Sequence, residues 1–495
     1  MTPFRVPDGT PTLQILVAGD ARLLERSREI EAVDEEVLGQ GRRLVATLRE
    51  FRERSGFGRA ISAVQTGFLR RLVAMDLGAE PFLLINPEIV SRSKETFLVW
   101  DDCLSVPDVL VRVRRHTSIS LRFRDHHFRP RLWSHLPKDL SELVQHEVDH
   151  LDGVLMTERA EGEGALQPLS RWAELVGSER PPSRLSLANV VEANSRIDPA
   201  FLGSPQYECE PLSQALGAPL TLKVETLNPI RSFKGRGASF FVSQAVATGA
   251  APPRGFVCAS AGNFGQALAY ACRAQGLPLS VFAAARANPL KVARMQGLGA
   301  KLHLEGVDFD AAKALGRQWA RDQGLPFVED GRDPWITEGA GTLARELLAR
   351  DDAYDAILVP LGNGALLNGV ARWFKAASPA TEVIGVCARG APAMQLSWRN
   401  GPGGPTVETP SAETIADGVA VRVPVPEAVA DMHGRVDGVV LVDDDTTRRA
   451  MRLVEEHAGL VLEPAGALGV AAILADPPRF AGRRLATILC GGNRA

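Results

Sequence analysis

The chain has 495 residues, 45% of them hydrophobic and 23% charged, with a formal net charge of −3. Such a length predicts two or three domains of about 100–200 residues each. Without a basic excess there is nothing to neutralise phosphates, so nucleic-acid and anionic-membrane binding are not expected. No run of about 18 apolar residues could span a membrane, and the N-terminus lacks the basic, apolar and small-residue order of a signal peptide. Six cysteines, at 103, 209, 258, 272, 387 and 490, are too scattered for a disulfide framework. A cytoplasmic protein is expected.

Six of the nine histidines precede residue 160. In this first third, the short apolar runs Phe82–Ile85 and Val109–Val113 read as strands. A helix is predicted from about Leu140 to His150, with Ser141 as its cap. The pattern is α+β. From about 160 to 210 the chain turns to Gly, Glu, Pro and Ser (EGEGALQP, SERPPSRLS), a linker with a helical lead-in. The expected domains are 1–165 and 191–495, with 166–190 as the linker. Beyond 215, the strand-like runs RGFVCAS, LPLSVFAA, AILVPLG, EVIGVCA and LATILCGG alternate with the helix-like runs SFKGRGASFFVSQAVATG, GQALAYACRAQG and TTRRAMRLVEEHAG. Alternation of this kind predicts parallel sheet covered by helices.

Two constellations carry chemistry. In QHEVDHLDG, His146 and His150 stand four apart, so on a helix both imidazoles share one face and reach one metal. Glu147 beside them can take the proton of an attacking water. By itself HExxH is also the pattern of a solvated helix face. Upstream stand WDDCLSVP, with Cys103, and GRAISAVQTG, with Gln65. These three motifs in this order resemble the peptide deformylases, over roughly residues 1–160.

The resemblance implies an α+β metal hydrolase acting on N-formyl peptides or N-formyl amino acids. Cys103, His146 and His150 would be the ligands of one divalent metal, and Glu147 the catalytic carboxylate. Gln65 and the backbone N–H of Leu104 would hold the oxyanion. A thiolate and two imidazoles leave one coordination position open and suit Zn(II) or Fe(II) equally. Ala60 departs from the family's second glycine, and Asp101–Asp102 replaces its Glu-Gly. Arg112–His116 (RVRRH) could supply an ion pair to these acids.

The second constellation begins with Lys234, at the start of a predicted helix after the strand-like TLKVE. SAGNFGQALA (260–269) and VPLGNGALLNG (359–369) are strand-to-helix turns whose N–H groups could hold an anion, with Gly362 and Gly364 permitting close approach to a phosphate. Each loop alone is common in α/β proteins. SFKGRGA, SAGNFG, TIADGVAV, EPAGA and LCGGN, in that order over about 190–495, resemble the pyridoxal-phosphate enzymes of the tryptophan-synthase β-like fold, nearest the serine/threonine ammonia-lyases (dehydratases).

That resemblance implies an α/β domain of two open parallel-sheet subdomains, pyridoxal 5′-phosphate as cofactor and a homodimer. Lys234 would be the cofactor-bearing lysine, and Asn263 would bond the ring hydroxyl. Gly362, Asn363, Gly364, Ala365 and Leu366 would hold the phosphate, and Cys490 would face the ring nitrogen. Ser260, Ala261, Gly262 and Asn263 would grip the substrate carboxylate. The expected reaction is dehydration and deamination of serine or threonine to a 2-oxo acid and ammonia. Ala261, where racemases carry serine, argues against racemisation. Phe264 in place of a histidine makes the pocket more apolar. Cys387 replaces the glutamate of a cation site, and the chain ends after LCGGN without the regulatory domain of biosynthetic threonine dehydratases. Three expectations follow: a bifunctional enzyme, a lyase whose N-terminal domain is a binding or regulatory module, or a deformylase joined to a different β-elimination or β-replacement enzyme.

Overall fold

The computed structural model describes residues 4–55, 58–77, 81–175, 183–260, 262–287, 289–350 and 353–494. The chain divides into two compact units, Met1–Val191 and Glu192–Ala495.

In the first unit, an antiparallel five-stranded sheet runs in the order Ala60–Ser62, Leu72–Met75, Phe82–Arg92, Ile119–Arg124 and Pro130–Trp133. The helix Glu35–Ser55 buries Leu44, Val45 and Leu48 against Ile61, Leu72, Ala74 and Leu83 of that sheet. Their one-turn spacing makes the apolar stripe that a helix needs to cover a sheet face. A second, three-stranded antiparallel sheet comprises Thr96–Cys103, Val106–His116 and Leu166–Pro168. The helix Lys138–Leu151 carries the two motif histidines. It starts before the predicted cap. Pro137, extended at φ −66° and ψ 158°, leads into it, while Ser141 lies inside, its hydroxyl donating to the His116 carbonyl at 2.9 Å. A proline pre-set in φ leads into a first turn at no hydrogen-bond cost, so the serine is free for a tertiary contact.

The second unit holds two sheets. Six strands run in the order Gly438–Val442, Glu382–Ala388, Ala356–Pro360, Leu485–Leu489, Leu220–Val224 and Gln206–Glu208, parallel except at the last pair. Four strands, Lys301–Leu304, Leu279–Ala283, Phe256–Ala259 and Phe327–Val328, form an all-parallel sheet. Every residue of Ala356–Pro360, Leu485–Leu489 and Phe256–Ala259 is buried. Strands covered on both faces read as unbroken apolar runs, which is why they were legible. The predicted helices are found as Lys234–Ala247, Asn263–Ala274 and Asp444–Ala458. Among the described residues, no helix is long and apolar enough to cross a membrane. All six cysteines are buried and unbridged.

Candidate active sites

In the first unit, Cys103 ends a strand just before the turn at Leu104–Ser105, and a register shift between Asp101 and Cys103 re-aims its side chain. The helix Lys138–Leu151 brings His146 and His150 to it. One ligand atom from each of the three residues lies within 4.8 Å of the others, and all three residues are buried. The Cys103 Sγ is 3.1 Å from His150 Nε2. His146 Nδ1 sits 3.2 Å from Asp101 Oδ2, which fixes the ring and leaves Nε2 to face a ligand.

Asp101 in turn takes an Arg115 guanidinium hydrogen bond at 2.7 Å, and Arg115 also pairs with Asp149. The RVRRH stretch thus supplies the ion pair anticipated for it. Burial alone would push the Asp101 carboxyl up, but hydrogen bonds and charge from His146 and Arg115 hold it below its ordinary value. Burial also works against the His146 imidazolium, yet Asp101 and Cys103 raise it well above normal. Burial, with the charges of His146 and Arg115, keeps His150 well below normal and so neutral. Its Nδ1 is buried with no partner.

Glu147 is buried, and burial raises its carboxyl against the pull of His146 and Ser62. Ser62 Oγ–H donates to Glu147 Oε2 at 2.6 Å. Gln65 is oriented by accepting from the Ser62 N–H at 2.8 Å, and its amide donates to Ser105 Oγ at 3.1 Å. That amide lies 3.8 Å from Cys103 Sγ. Leu104 follows Cys103 directly, in the turn that joins the two strands. A buried thiol, a neutral imidazole and an anchored imidazole make a donor set that fits one zinc or iron ion. Ala60 is buried in its strand, and burial pushes the Asp102 carboxyl up while Arg59 pulls it down.

In the second unit, Lys234 begins its helix beside the end of the strand Leu485–Leu489. The Phe233 N–H donates to the Cys490 carbonyl at 3.0 Å, and Ser232 bridges to Gly491. Lys234 and Cys490, far apart in sequence, are therefore tied by backbone. Asn263 opens its helix. Its amide donates to Glu463 Oε1 at 2.8 Å and its carbonyl accepts from Asn493 at 2.9 Å. Ser260 Oγ accepts from the Gly262 and Gly265 N–H groups at 3.1 and 2.9 Å, shaping the loop. Ala261 lies outside the described residues.

Gly362, Asn363 and Gly364 form the turn into the helix Ala365–Ala377, whose first residues are Ala365 and Leu366. Gly364 has φ 95°, and a Cβ there would sit 3.0 Å from the Ala428 Cβ. The opening turn of a helix has N–H groups without intrahelical partners and the positive end of the macrodipole, a place for a phosphate. A cavity of about 320 Å³, bordered by Lys234, Asn263, Gly364, Cys490, Asp330 and Glu463, joins these parts. That volume is in the usual range of about 300–1,000 Å³ for small-molecule sites. Burial raises the Glu463 carboxyl to about 7, against the Asn263 hydrogen bond. Burial likewise pushes the Cys490 thiol far up, so it stays neutral. Asp330 Oδ1 and Glu463 Oε2 are buried without partners. An amine, an anion cradle and a neutral thiol on one cavity fit pyridoxal phosphate.

Phe264 lines this cavity, with its ring centroid 6.0 Å from the Lys234 Nζ. Cys387 is a buried core residue donating to the Leu361 carbonyl, its thiol pushed up to about 12 by burial. Among the described residues, Cys103, His146 and His150 form the one cluster able to hold a metal. Sequence reasoning missed Asp330, Asn493 and the ion pair between Lys291 and Asp417. Asp330 sits in no motif, whereas Glu463 and Asp417 were visible only inside EPAGA and TIADGVAV.

Comparison with known proteins agrees with both halves. Residues 12–165 match the polypeptide deformylase family and residues 197–491 the pyridoxal-phosphate dependent enzyme family. An L-threonine ammonia-lyase of Geobacter sulfurreducens is 32% identical over 304 residues, covering 61% of this chain and 74% of that protein. An L-threonine ammonia-lyase of Thermotoga maritima is 34% identical, covering 57% and 69%. Among solved structures, a threonine deaminase from T.th. superposes with a TM-score of 0.58 at 33% identity, covering 63% of this chain and 99% of that one. A maize serine racemase gives a TM-score of 0.58 at 26% identity, covering 63% and 96%. With a lysine, an anion cradle and a neutral thiol on one cavity, and a family match over more than half its length, this chain belongs to the pyridoxal-phosphate dependent enzymes, and its N-terminal residues 12–165 match the polypeptide deformylase family.

Proposed function

We propose that the chain is a bifunctional enzyme that deaminates serine or threonine at the Lys234 site and hydrolyses N-formyl groups at the Cys103–His146–His150 site. The observation that carries the lyase reading is the convergence of Lys234, Asn263, Cys490 and the 362–366 turn on one cavity. Pyridoxal phosphate, when bound, supplies the electron sink for loss of the α-proton and β-hydroxyl. Lys234 would hold the cofactor and, once released from it, would move the α-proton. Asn263 would hold the ring hydroxyl, Gly362 to Leu366 would hold the phosphate, and Cys490, as a neutral thiol, would not keep the ring nitrogen protonated. Ser260 to Asn263 orient the substrate carboxylate.

In the N-terminal unit a divalent ion, iron or zinc, would supply Lewis acidity. Glu147 takes the proton of the attacking water and returns it to the departing amine. Gln65 and the Leu104 N–H stabilise the developing oxyanion. The deformylase-like fold is assigned to 1–165 and the lyase to 191–495, with 166–190 between; residues 176–182 of that stretch lie outside the described residues. A cytoplasmic homodimer is part of this reading.

The test is a screen of both activities on wild type, Glu147→Ala and Lys234→Ala. Glu147→Ala should stop deformylation and spare deamination, and Lys234→Ala the reverse, with loss of the visible cofactor absorbance. A surviving absorbance in Lys234→Ala would sink the lyase assignment. Metal-loaded wild type that cleaves neither formyl-Met peptides nor N-formyl amino acids would make the N-terminal domain a binding module.

A further inference from the structure

The cofactor lysine has a partner that the sequence motifs do not include. Lys234 Nζ donates to Asp330 Oδ2 at 2.5 Å, and the Asp330 side chain is 9% exposed. Its other oxygen, Oδ1, is buried without a partner on the wall of the same cavity.

The position is built. The preceding Glu329, also on the cavity wall, is held in ion pairs with Lys313, Arg317 and Arg332, and its N–H is held by Asp333 at 2.7 Å. The following Gly331 has φ 85°, and a Cβ there would lie 2.0 Å from the Asn363 carbonyl oxygen. The loop is thus pinned on one side by an ion cluster and pressed on the other against the phosphate-binding turn. Between them, Asp330 is aimed at Lys234. A buried carboxylate with one oxygen on an amine and one unsatisfied is costly unless a ligand supplies a donor.

We propose that Asp330 is a catalytic acid that exchanges its proton with Lys234 and delivers it to the leaving group on the substrate's β-carbon; this rests on the ammonia-lyase reading. The proton balance closes. The α-C–H bond breaks and its proton goes to the neutral Lys234 amine. The Cβ–O bond breaks as Asp330 Oδ1, in the acid form, gives its proton to the departing hydroxyl, which leaves as water. Lys234 is then an ammonium beside the Asp330 carboxylate, the ion pair seen in the structure, and passing one proton from lysine to aspartate restores both. The substrate has lost one water and nothing is oxidised or reduced.

The test compares serine with β-chloroalanine on wild type and Asp330→Asn. Chloride leaves without a proton, whereas hydroxide does not. Loss of a general acid should therefore lower kcat for serine by about 100-fold or more and leave chloride elimination largely unchanged. The two rates are measured on one preparation, so their ratio is independent of any loss of folded protein. Asp330→Ala should give the same ratio.

A second readout needs no turnover. A carboxylate beside the lysine nitrogen favours its protonated form, so Asp330→Asn should lower, by about one unit or more, the pH at which the visible absorbance of the lysine-linked cofactor titrates. Equal losses on both substrates, or none on either, overturn the proposal. If wild type eliminates from neither substrate, the lyase reading fails and the absorbance titration decides alone: an unmoved midpoint refutes the Asp330 pairing.

Discussion

Replacing Glu346 with Gln should loosen the helix that presents Lys234. Two residues into that helix, Arg236 is fully buried, and its guanidinium forks between Glu225, at 3.0 and 2.9 Å, and Glu346, at 2.7 and 2.9 Å. Lys223 Nζ reaches the same Glu346 carboxylate at 2.6 Å. The cluster ties the lysine helix to the helix Pro334–Leu347 and to the strand Leu220–Val224. Burial alone would raise the Glu346 carboxyl, but hydrogen bonds and charge from Arg236 and Lys223 pull it from 4.5 to about 2.

Such a depression corresponds to about 3 kcal/mol of stability at neutral pH. That agrees with the roughly 3–5 kcal/mol lost when one partner of a buried ion pair is removed. Because the folded value is depressed, this contribution is present above the unfolded value and is lost as pH falls toward the folded one. It is complete above about pH 5.5, less than half remains near about pH 3, and it is gone below about pH 2.

For a unit of roughly 300 residues, the same energy lowers the melting midpoint by roughly 5 °C. The assay is thermal unfolding of wild type and Glu346→Gln at neutral pH and near pH 3, with cofactor absorbance marking the C-terminal unit. A midpoint unchanged at neutral pH would show that the cluster adds nothing beyond an apolar contact. A wild-type-to-variant difference as large near pH 3 as at pH 7 would show that charge is not its source.

Two further outcomes are expected. Asp101→Asn should weaken metal affinity about 10–100-fold by releasing His146 Nδ1, read by competition with a chromophoric chelator; unchanged affinity would mean that the imidazole is held by something else. Gly364→Val forces a β-branched side chain to φ 95° in the turn that receives the phosphate, a conformation that glycine alone adopts freely. Pyridoxal-phosphate binding, measured by equilibrium dialysis, should fall sharply, and retained affinity would move the phosphate elsewhere.

Much of this protein is legible in its sequence. The buried parallel strands are continuous apolar runs, so RGFVCAS and LATILCGG locate Phe256–Ala259 and Leu485–Leu489, overrunning their ends by up to three residues. The three deformylase motifs and the five lyase motifs occur as short contiguous strings, because each packs a ligand set into one turn of helix or one loop. Helix starts were less secure: Ser141 looks like a cap, and only the fold shows Pro137 in that role. Tertiary structure alone decided the pairings made across long stretches of chain. Asp101, Arg115 and His146 meet because a hairpin packs on a helix. Arg236 finds Glu346 across 110 residues, and Asp330 reaches Lys234 across 96. An isolated acid in sequence carries no sign of which base it will face; that depends on where the chain's long-range packing buries it, and burial is what turns an ordinary carboxylate into a chemical group.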